Sequence, residues 1–305
     1  MSKPRLVSQL GESEYYLPGH AACHGCGASI GLRHLLKAIG PNSILAVPAG
    51  CTSIIAGKAN LSTFAIPFIH TAFGSAAAVA SGIVEALERM GRKDVNVVVW
   101  AGDGGTYDIG FASLSGAAER GHNILYVLDD NEAYMNTGIQ RSGATPKGAW
   151  TTTTIKGKKE SKKNIIDIML AHNIPYIATA SVAYPMDFHR KVKKALGIKG
   201  FKFIHLMSPC PPGWRFDMHL TVEVARKAVL SGVWILMEIE NGRLTLNPPS
   251  NTMLEKRRLP IEEYVKMQGR FRFLKGELLE EFKRDVENNW ERVKKILEEQ
   301  GSLKK

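Results

Sequence analysis

Two short stretches carry oxygen donors suited to a hard cation and a phosphate. The first is Gly102-Asp103-Gly104-Gly105. The second is Leu128-Asp129-Asp130-Asn131-Glu132-Ala133-Tyr134-Met135-Asn136-Thr137-Gly138, in which Asn131 stands 26 residues after Gly105. Each follows an apolar run, 95–101 and 124–128, and a helix-sized stretch, 109–120, lies between them. A strand–helix–strand unit of this kind sets its two strand ends side by side, so Asp103 and Asn131 can share one ion. Two hard oxygen donors plus a main-chain carbonyl suit Mg2+ or Ca2+, and a diphosphate can complete the shell. The glycines let main-chain N–H groups approach phosphate oxygens at a helix start. Either stretch alone is also a common turn or a solvated loop. The pairing after two apolar strands is what points to a cation.

The four cysteines form a second constellation. Cys23-His24-Gly25-Cys26 precedes an amphipathic stretch, Cys51 lies in Pro48-Ala49-Gly50-Cys51-Thr52-Ser53, and Cys210 lies in Met207-Ser208-Pro209-Cys210-Pro211-Pro212-Gly213. All four fall in Gly- or Pro-rich loops at element ends. The residues leave three readings open: unrelated thiols, a redox pair, or a four-thiolate metal site. A thioredoxin-type pair would follow a strand, and none precedes Cys23. Zinc sites usually pair two Cys-x-x-Cys knuckles, and there is one here. Iron–sulfur ligation tolerates one pair plus two distant cysteines.

These residues need a scaffold. Candidate strands span 43–47, 65–69, 95–101, 124–128, 176–179, 201–206 and 234–239, and candidate helices span 28–39, 73–90, 109–120, 164–172, 184–196 and 221–231. The strands are continuous apolar runs, as expected when both sheet faces are covered. The reading is an α/β fold, a doubly wound and mostly parallel sheet. Residues 1–246 form this domain, and 247–305 a C-terminal helical extension with helices at 261–268 and 277–299, packed on the domain or on a neighbouring subunit. The polar stretch from Thr151 to Glu160 reads as an exposed loop, and the tail Leu303-Lys304-Lys305 as frayed.

Composition narrows the setting. The 305 residues are 44% hydrophobic, enough for a large core. No run of about 20 apolar residues is present, so no membrane span is expected. Met1-Ser2-Lys3-Pro4-Arg5 has no apolar core behind it, which argues against a secretory signal and for a cytoplasmic protein without disulfides. The net charge is +11. Its lysines and arginines spread over helical segments such as Arg190-Lys191-Val192-Lys193-Lys194, not along an aromatic-studded stripe, so nucleic acid is not the expected partner. The same excess would favour docking of an acidic protein.

Gly102-Asp103-Gly104 followed by Asn131 resembles the thiamine diphosphate signature. Tyr107-Asp108-Ile109-Gly110 and Tyr134-Met135-Asn136-Thr137-Gly138-Ile139-Gln140-Arg141-Ser142 resemble the β subunit of 2-oxoacid:ferredoxin oxidoreductases, over most of residues 15–245. The resemblance implies thiamine diphosphate on Mg2+, with Asp103, Asn131 and the carbonyl of Ala133 as ligands and Gly50, Cys51, Gly102, Gly104, Gly105, Thr137 and Gly138 around the cofactor. Pyruvate enzymes of the family can carry Thr where this chain has Asn131. The resemblance also assigns Cys23, Cys26, Cys51 and Cys210 to one 4Fe–4S cluster, Ile54 to a wedge under the bent cofactor, and Asn136 to a catalytic hydrogen bond on substrate or intermediate oxygen. His20, His24 and His70 are given no catalytic part, and Arg141 and Arg215 read as surface residues.

The glutamate that thiamine enzymes use on the aminopyrimidine ring belongs to a pyrimidine-binding domain that is not found here. The chain should therefore be half an active site. It would be completed by an α subunit and served by a ferredoxin-like subunit and ferredoxin. The implied reaction is oxidative decarboxylation of a 2-oxoacid, pyruvate first, with the acyl group usually passed to coenzyme A. Cys26-Gly27-Ala28-Ser29-Ile30-Gly31-Leu32-Arg33 and Gln268-Gly269-Arg270-Phe271 resemble the branched-chain 2-oxoacid members of the family, and oxalate is a further alternative. A non-redox thiamine decarboxylase would explain Asp103 and Asn131 but not the cysteines. A zinc-binding nucleic-acid protein would explain the cysteines and the charge alone.

Overall fold

The computed structural model describes residues 13–57 and 61–302. The N-terminal pentapeptide and the Leu303-Lys304-Lys305 tail, both interpreted above, lie outside the described residues. The chain runs α1 (Gly27–Ile39), β1 (Ser43–Pro48), α2 (Cys51–Ile55), β2 (Phe68–Thr71), α3 (Ala76–Arg89), β3 (Asn96–Gly102), a π turn (Gly104–Asp108), α4 (Phe111–Glu119), β4 (Ile124–Asp130), α5 (Ile165–Leu170), β5 (Tyr176–Ser181), α6 (Pro185–Leu196), β6 (Lys202–Met207), α7 (Pro211–Trp214), α8 (Thr221–Leu230), β7 (Met237–Glu240), β8 (Arg243–Leu246), α9 (Ile261–Val265) and α10 (Glu277–Glu299).

One sheet of eight strands, ordered β2-β1-β3-β4-β6-β5-β7-β8, forms the centre. β1 to β6 are mutually parallel, and the β7–β8 hairpin adds antiparallel at one edge. The expected mostly parallel α/β fold is therefore present. The apolar runs divide between two cores with the strand period of two. Val97, Val99, Ala101, Ile124, Tyr126 and Leu128 join the core under α3, α4, α5 and α10. Val98, Trp100, Leu125 and Val127 join the opposite core under α1 and α6. The C-terminal helix α10 contributes Phe282, Val286, Trp290, Val293 and Leu297 to the first of these cores.

Three elements differ from the sequence reading. The second strand starts at Phe68, because residues just before it are taken up elsewhere: Ala65 N–H bonds to Tyr15 O at 2.9 Å and Phe64 bridges to Tyr16. The last expected strand, 234–239, is the shorter β7, which turns at Asn241-Gly242 into β8. Both turn residues have positive φ (48° and 80°), the backbone that makes an Asn-Gly pair a tight hairpin signal. The stretch 151–160 is only partly an exposed loop. Thr151 and Lys158 are buried, and Lys158 Nζ donates to the carbonyls of Thr145 (2.7 Å) and Ser161 (3.3 Å), which pins the segment down.

Candidate active site

The chain leaves β1 toward β2 on one side and leaves β3 toward β4 on the other, so the sheet reverses its winding between β1 and β3. Open α/β sheets bind ligands at such a switch, beyond the carboxyl ends of the strands. A small cavity opens there, lined by residues 48–52, Trp100, Gly102, Asp129 and Asn131. Register sets its walls: Gly102 pairs with Asp129, and Ala46 with Val99.

Asp103 and Asn131 stand beside one another at the ends of β3 and β4, both buried. One end of the Asn131 carboxamide lies 3.2 Å from Asp103 Oδ1 and 2.9 Å from the Ala133 carbonyl oxygen. The Asn131 amide thus sits between two oxygens. Hydrogen bonding alone would put its NH2 at that end, donating to both neighbours. A divalent ion would instead hold the oxygen inward. Mg2+ with octahedral ligands at its usual bond length sets adjacent oxygens about 2.9 Å apart, close to the spacing seen. The donor set fits a hard divalent cation. Among the described residues no three His, Cys, Asp or Glu side chains gather as a metal group. This donor set contains only one such residue.

The glycines divide their work. A Cβ on Gly102 would meet nothing within 4 Å, so this position leaves open space toward the cavity. A Cβ on Gly104 would sit 2.2 Å from the Tyr134 ring, and one on Gly110 would sit 2.0 Å from Gly105 O. Those two glycines serve close packing of the π turn.

Charge is managed by a buried network that the sequence did not suggest. Ser142 Oγ donates to Asp103 Oδ2. Burial, and then the neighbouring Asp130, hold the Asp103 carboxyl well above the usual carboxylate range, against the pull of Ser142. Burial would raise Asp130 too, but Lys162 (2.7 Å) and His205 (2.6 Å) bring it well below that range. Lys162 also reaches Glu132 at 3.0 Å. Asp129, buried and facing the cavity, has an Oδ1 without a hydrogen-bond partner, and burial pushes its carboxyl up to about 7. Beyond the network lies a larger cavity of about 410 Å3, between α5, α10 and the β7–β8 edge.

Residues 48–206 match the family described as thiamine pyrophosphate enzyme, C-terminal TPP binding domain. The ketoisovalerate oxidoreductase subunit VorB of Pyrococcus abyssi is 52% identical over 295 residues, covering 93% of this chain and 94% of that protein. The pyruvate synthase subunit PorB of Methanothermobacter marburgensis is 52% identical over 273 residues, covering 87% and 92%. The chain belongs to the β-subunit family of the 2-oxoacid:ferredoxin oxidoreductases. A solved 2-oxoglutarate:ferredoxin oxidoreductase from Magnetococcus marinus shares the fold, with a TM-score of 0.56 at 24% identity over 88% of this chain and 93% of that one.

In this oxidoreductase subunit the four cysteines lie in loops at one rim, without drawing together as a metal group among the described residues. Cys51 opens α2 after β1, and Cys210 precedes α7 after β6. The knuckle of Cys23 and Cys26 is tied to the Cys210 loop by Gly27 N–H to Pro209 O (3.2 Å), and a Cβ on Gly27 would strike that loop. All four thiols are free. Burial, and then the nearby Cys210, raise Cys51, and burial raises Cys210 up to about 12 against the pull of the Gly213 main chain. Burial likewise raises Cys26, to about 11.

The remaining expected residues are exposed. Ile54 is 56% exposed, whereas its neighbour Ile55 is buried in the core. Asn136, Thr137 and Gly138 form the exposed tip of a loop closed by Tyr134 and Gln140. Thr137 Oγ1 donates to Gln140 Oε1 at 2.6 Å, and Thr152 Oγ1 to Gly138 O at 2.8 Å, so the tip is held from both sides. His20 stacks on Tyr16, His70 meets the Phe68 ring edge-on, and Arg215 stacks on Trp150. Sequence reasoning gave no role to Ser142, Trp214, Lys162, His205 or Arg270, although Ser142 and Arg270 lie in stretches that carried the resemblance. Asp129-Asp130 left a signal of the network, as two adjacent acids ending an apolar strand.

Proposed function

We propose that this subunit serves the oxidative decarboxylation of a 2-oxoacid within a cytoplasmic complex. It would hold thiamine diphosphate through Mg2+ on Asp103, Asn131 and the Ala133 carbonyl, and one 4Fe–4S cluster on Cys23, Cys26, Cys51 and Cys210. The observation that carries this reading is the meeting of the Asn131 carboxamide with the Asp103 carboxylate and the Ala133 carbonyl at the ends of β3 and β4. Bound thiamine diphosphate supplies the carbanion that makes loss of CO2 from a 2-oxoacid possible, and the cluster supplies one-electron acceptance.

The chain's own residues bind and orient. Asp103 and Asn131 fix the cation, and the open side of Gly102 admits the diphosphate. Cys51 and Ile54, both on α2, place a thiolate and an apolar wedge on one short element. Asn136 offers a carboxamide to a substrate oxygen. Because Asn136 and Ile54 are exposed in this chain, an α subunit with the pyrimidine domain has to cover them and exclude water. A ferredoxin-like subunit and ferredoxin take the electrons, and coenzyme A takes the acyl group. Pyruvate is the substrate we favour. A branched-chain 2-oxoacid is the second reading, supported by the Pyrococcus abyssi ketoisovalerate relative, which matches at 52% over 295 residues against 273 at the same identity for the Methanothermobacter marburgensis pyruvate relative.

Cofactor and metal analysis of the complex isolated without oxygen tests the reading. Thiamine diphosphate, Mg2+ and four irons on this subunit are expected. A colourless complex with one zinc on this subunit, or one free of thiamine, refutes it. Turnover with pyruvate against branched-chain 2-oxoacids and oxalate then decides the substrate.

A further inference from the structure

We infer that a buried ion pair between Glu132 and Arg270, stacked on Trp214, latches the cation loop and sets its affinity for Mg2+. The inference rests on the reading above, in which Asn131 and the Ala133 carbonyl hold the ion. Glu132 stands between those two ligands. Its φ is 65°, a left-handed backbone that a residue with a Cβ adopts only when its surroundings impose it. The surroundings do so from every side. Glu132 N–H donates to Asp130 Oδ1 (2.9 Å), its carbonyl accepts from Thr145 Oγ1 (2.7 Å), and its carboxylate meets Lys162 (3.0 Å) and Arg270 Nη2 (2.7 Å).

Arg270 is 2% exposed and touches both sides of the loop. Through Glu132 it holds the residue between the ligands. Its guanidinium also lies 3.6 Å over the Trp214 ring, and Trp214 Nε1 donates to Asn131 O at 2.7 Å. One planar cation therefore braces the side chain of Glu132 and, through Trp214, the main chain of Asn131. A lysine could keep the charge but not the stack and the fork together. Arg270 is itself fixed by Gln268 Oε1 (2.9 Å) and Tyr264 OH (3.2 Å). It lies beyond residues 48–206, the stretch that matches the cofactor-binding family. The C-terminal segment thus acts as a positioning element for a metal whose ligands are all elsewhere in the chain.

The test uses the assembled complex, stripped with a chelator, given saturating thiamine diphosphate and titrated with Mg2+ while cofactor binding is followed by circular dichroism. R270K and E132Q should each raise the half-saturating Mg2+ about 10- to 100-fold, the usual cost of losing a group that orients a metal ligand. The double variant should be no worse than the more severe single one, since both cut the same tether. Melting of the metal-free complexes is measured alongside. A lowered melting point with a wild-type Mg2+ requirement makes the pair merely structural and overturns the latch. If R270K does not assemble, the near-isosteric E132Q decides alone. D103N is titrated in parallel. Undiminished Mg2+-dependent binding by D103N defeats the site itself, whereas loss in D103N with no change in R270K and E132Q defeats only the latch.

Discussion

Removing the hydroxyl of Ser142 is the most direct way to ask whether Asp103 is a ligand held in place. Ser142 Oγ donates to Asp103 Oδ2 and in turn accepts the N–H of Ala144 at 3.1 Å. All three residues are buried. Ser142→Ala therefore has two separable costs. The Ala144 N–H loses its partner away from water, which should lower stability by about 1–3 kcal/mol. The Asp103 carboxylate loses the bond that fixes its rotamer, which should weaken Mg2+ binding about 10- to 100-fold, or about 1.4–2.7 kcal/mol. Calorimetric titration of Mg2+ into the stripped complex with thiamine diphosphate present reads the second cost. A thermal melt of the metal-free complex reads the first. The stability loss alone, with Mg2+ affinity within about twofold of wild type, would refute the claim that Ser142 orients a metal ligand.

Further outcomes follow from the same geometry. Asp103→Ala should abolish retention of thiamine diphosphate through gel filtration, and a variant that keeps its cofactor contradicts the site. Cys51→Ser and Cys210→Ser should each lower the iron bound to this subunit, read by metal analysis and by loss of brown colour. The isolated chain should show no turnover until the α subunit is added, because Ile54 and Asn136 lie uncovered; full activity from this chain alone contradicts that. Acid should destabilise the fold partly through Glu238. Burial would raise its carboxyl, but Lys194, Arg190 and Tyr176 bring it from 4.5 down to about 2. With the folded value depressed, its stabilisation is present above about pH 4.5 and is lost as pH falls through about 2. The ceiling is about 3 kcal/mol. Arg190 and Lys194 are partly exposed, so about 1–2 kcal/mol is expected after screening. Glu238→Gln should be less stable than wild type at pH 6, and the gap should largely close by pH 2.5, as read by urea denaturation of the cofactor-free protein.

What the sequence alone determined is what neighbouring residues impose on one another. Apolar runs such as 97–101 and 124–128 announced buried strands, and Gly102-Asp103 and Asn131 at their ends announced oxygen donors at one rim of a sheet. Loop cysteines flanked by glycine and proline were legible for the same local reason. Asn241-Gly242 was equally local, and its hairpin went unread only because the strand after it is four residues long. The tertiary structure decided everything that depends on which strands lie side by side. His205 reaches Asp130 across 75 residues of sequence, and Trp214 reaches Asn131 across 83. No pattern in the chain marks such pairs, since strand order and register create them. The same packing set Asp103, Asn131 and the Ala133 carbonyl within touching distance, and brought Arg270 from the far end of the chain to brace them. Donor chemistry was written locally; its geometry came from the fold.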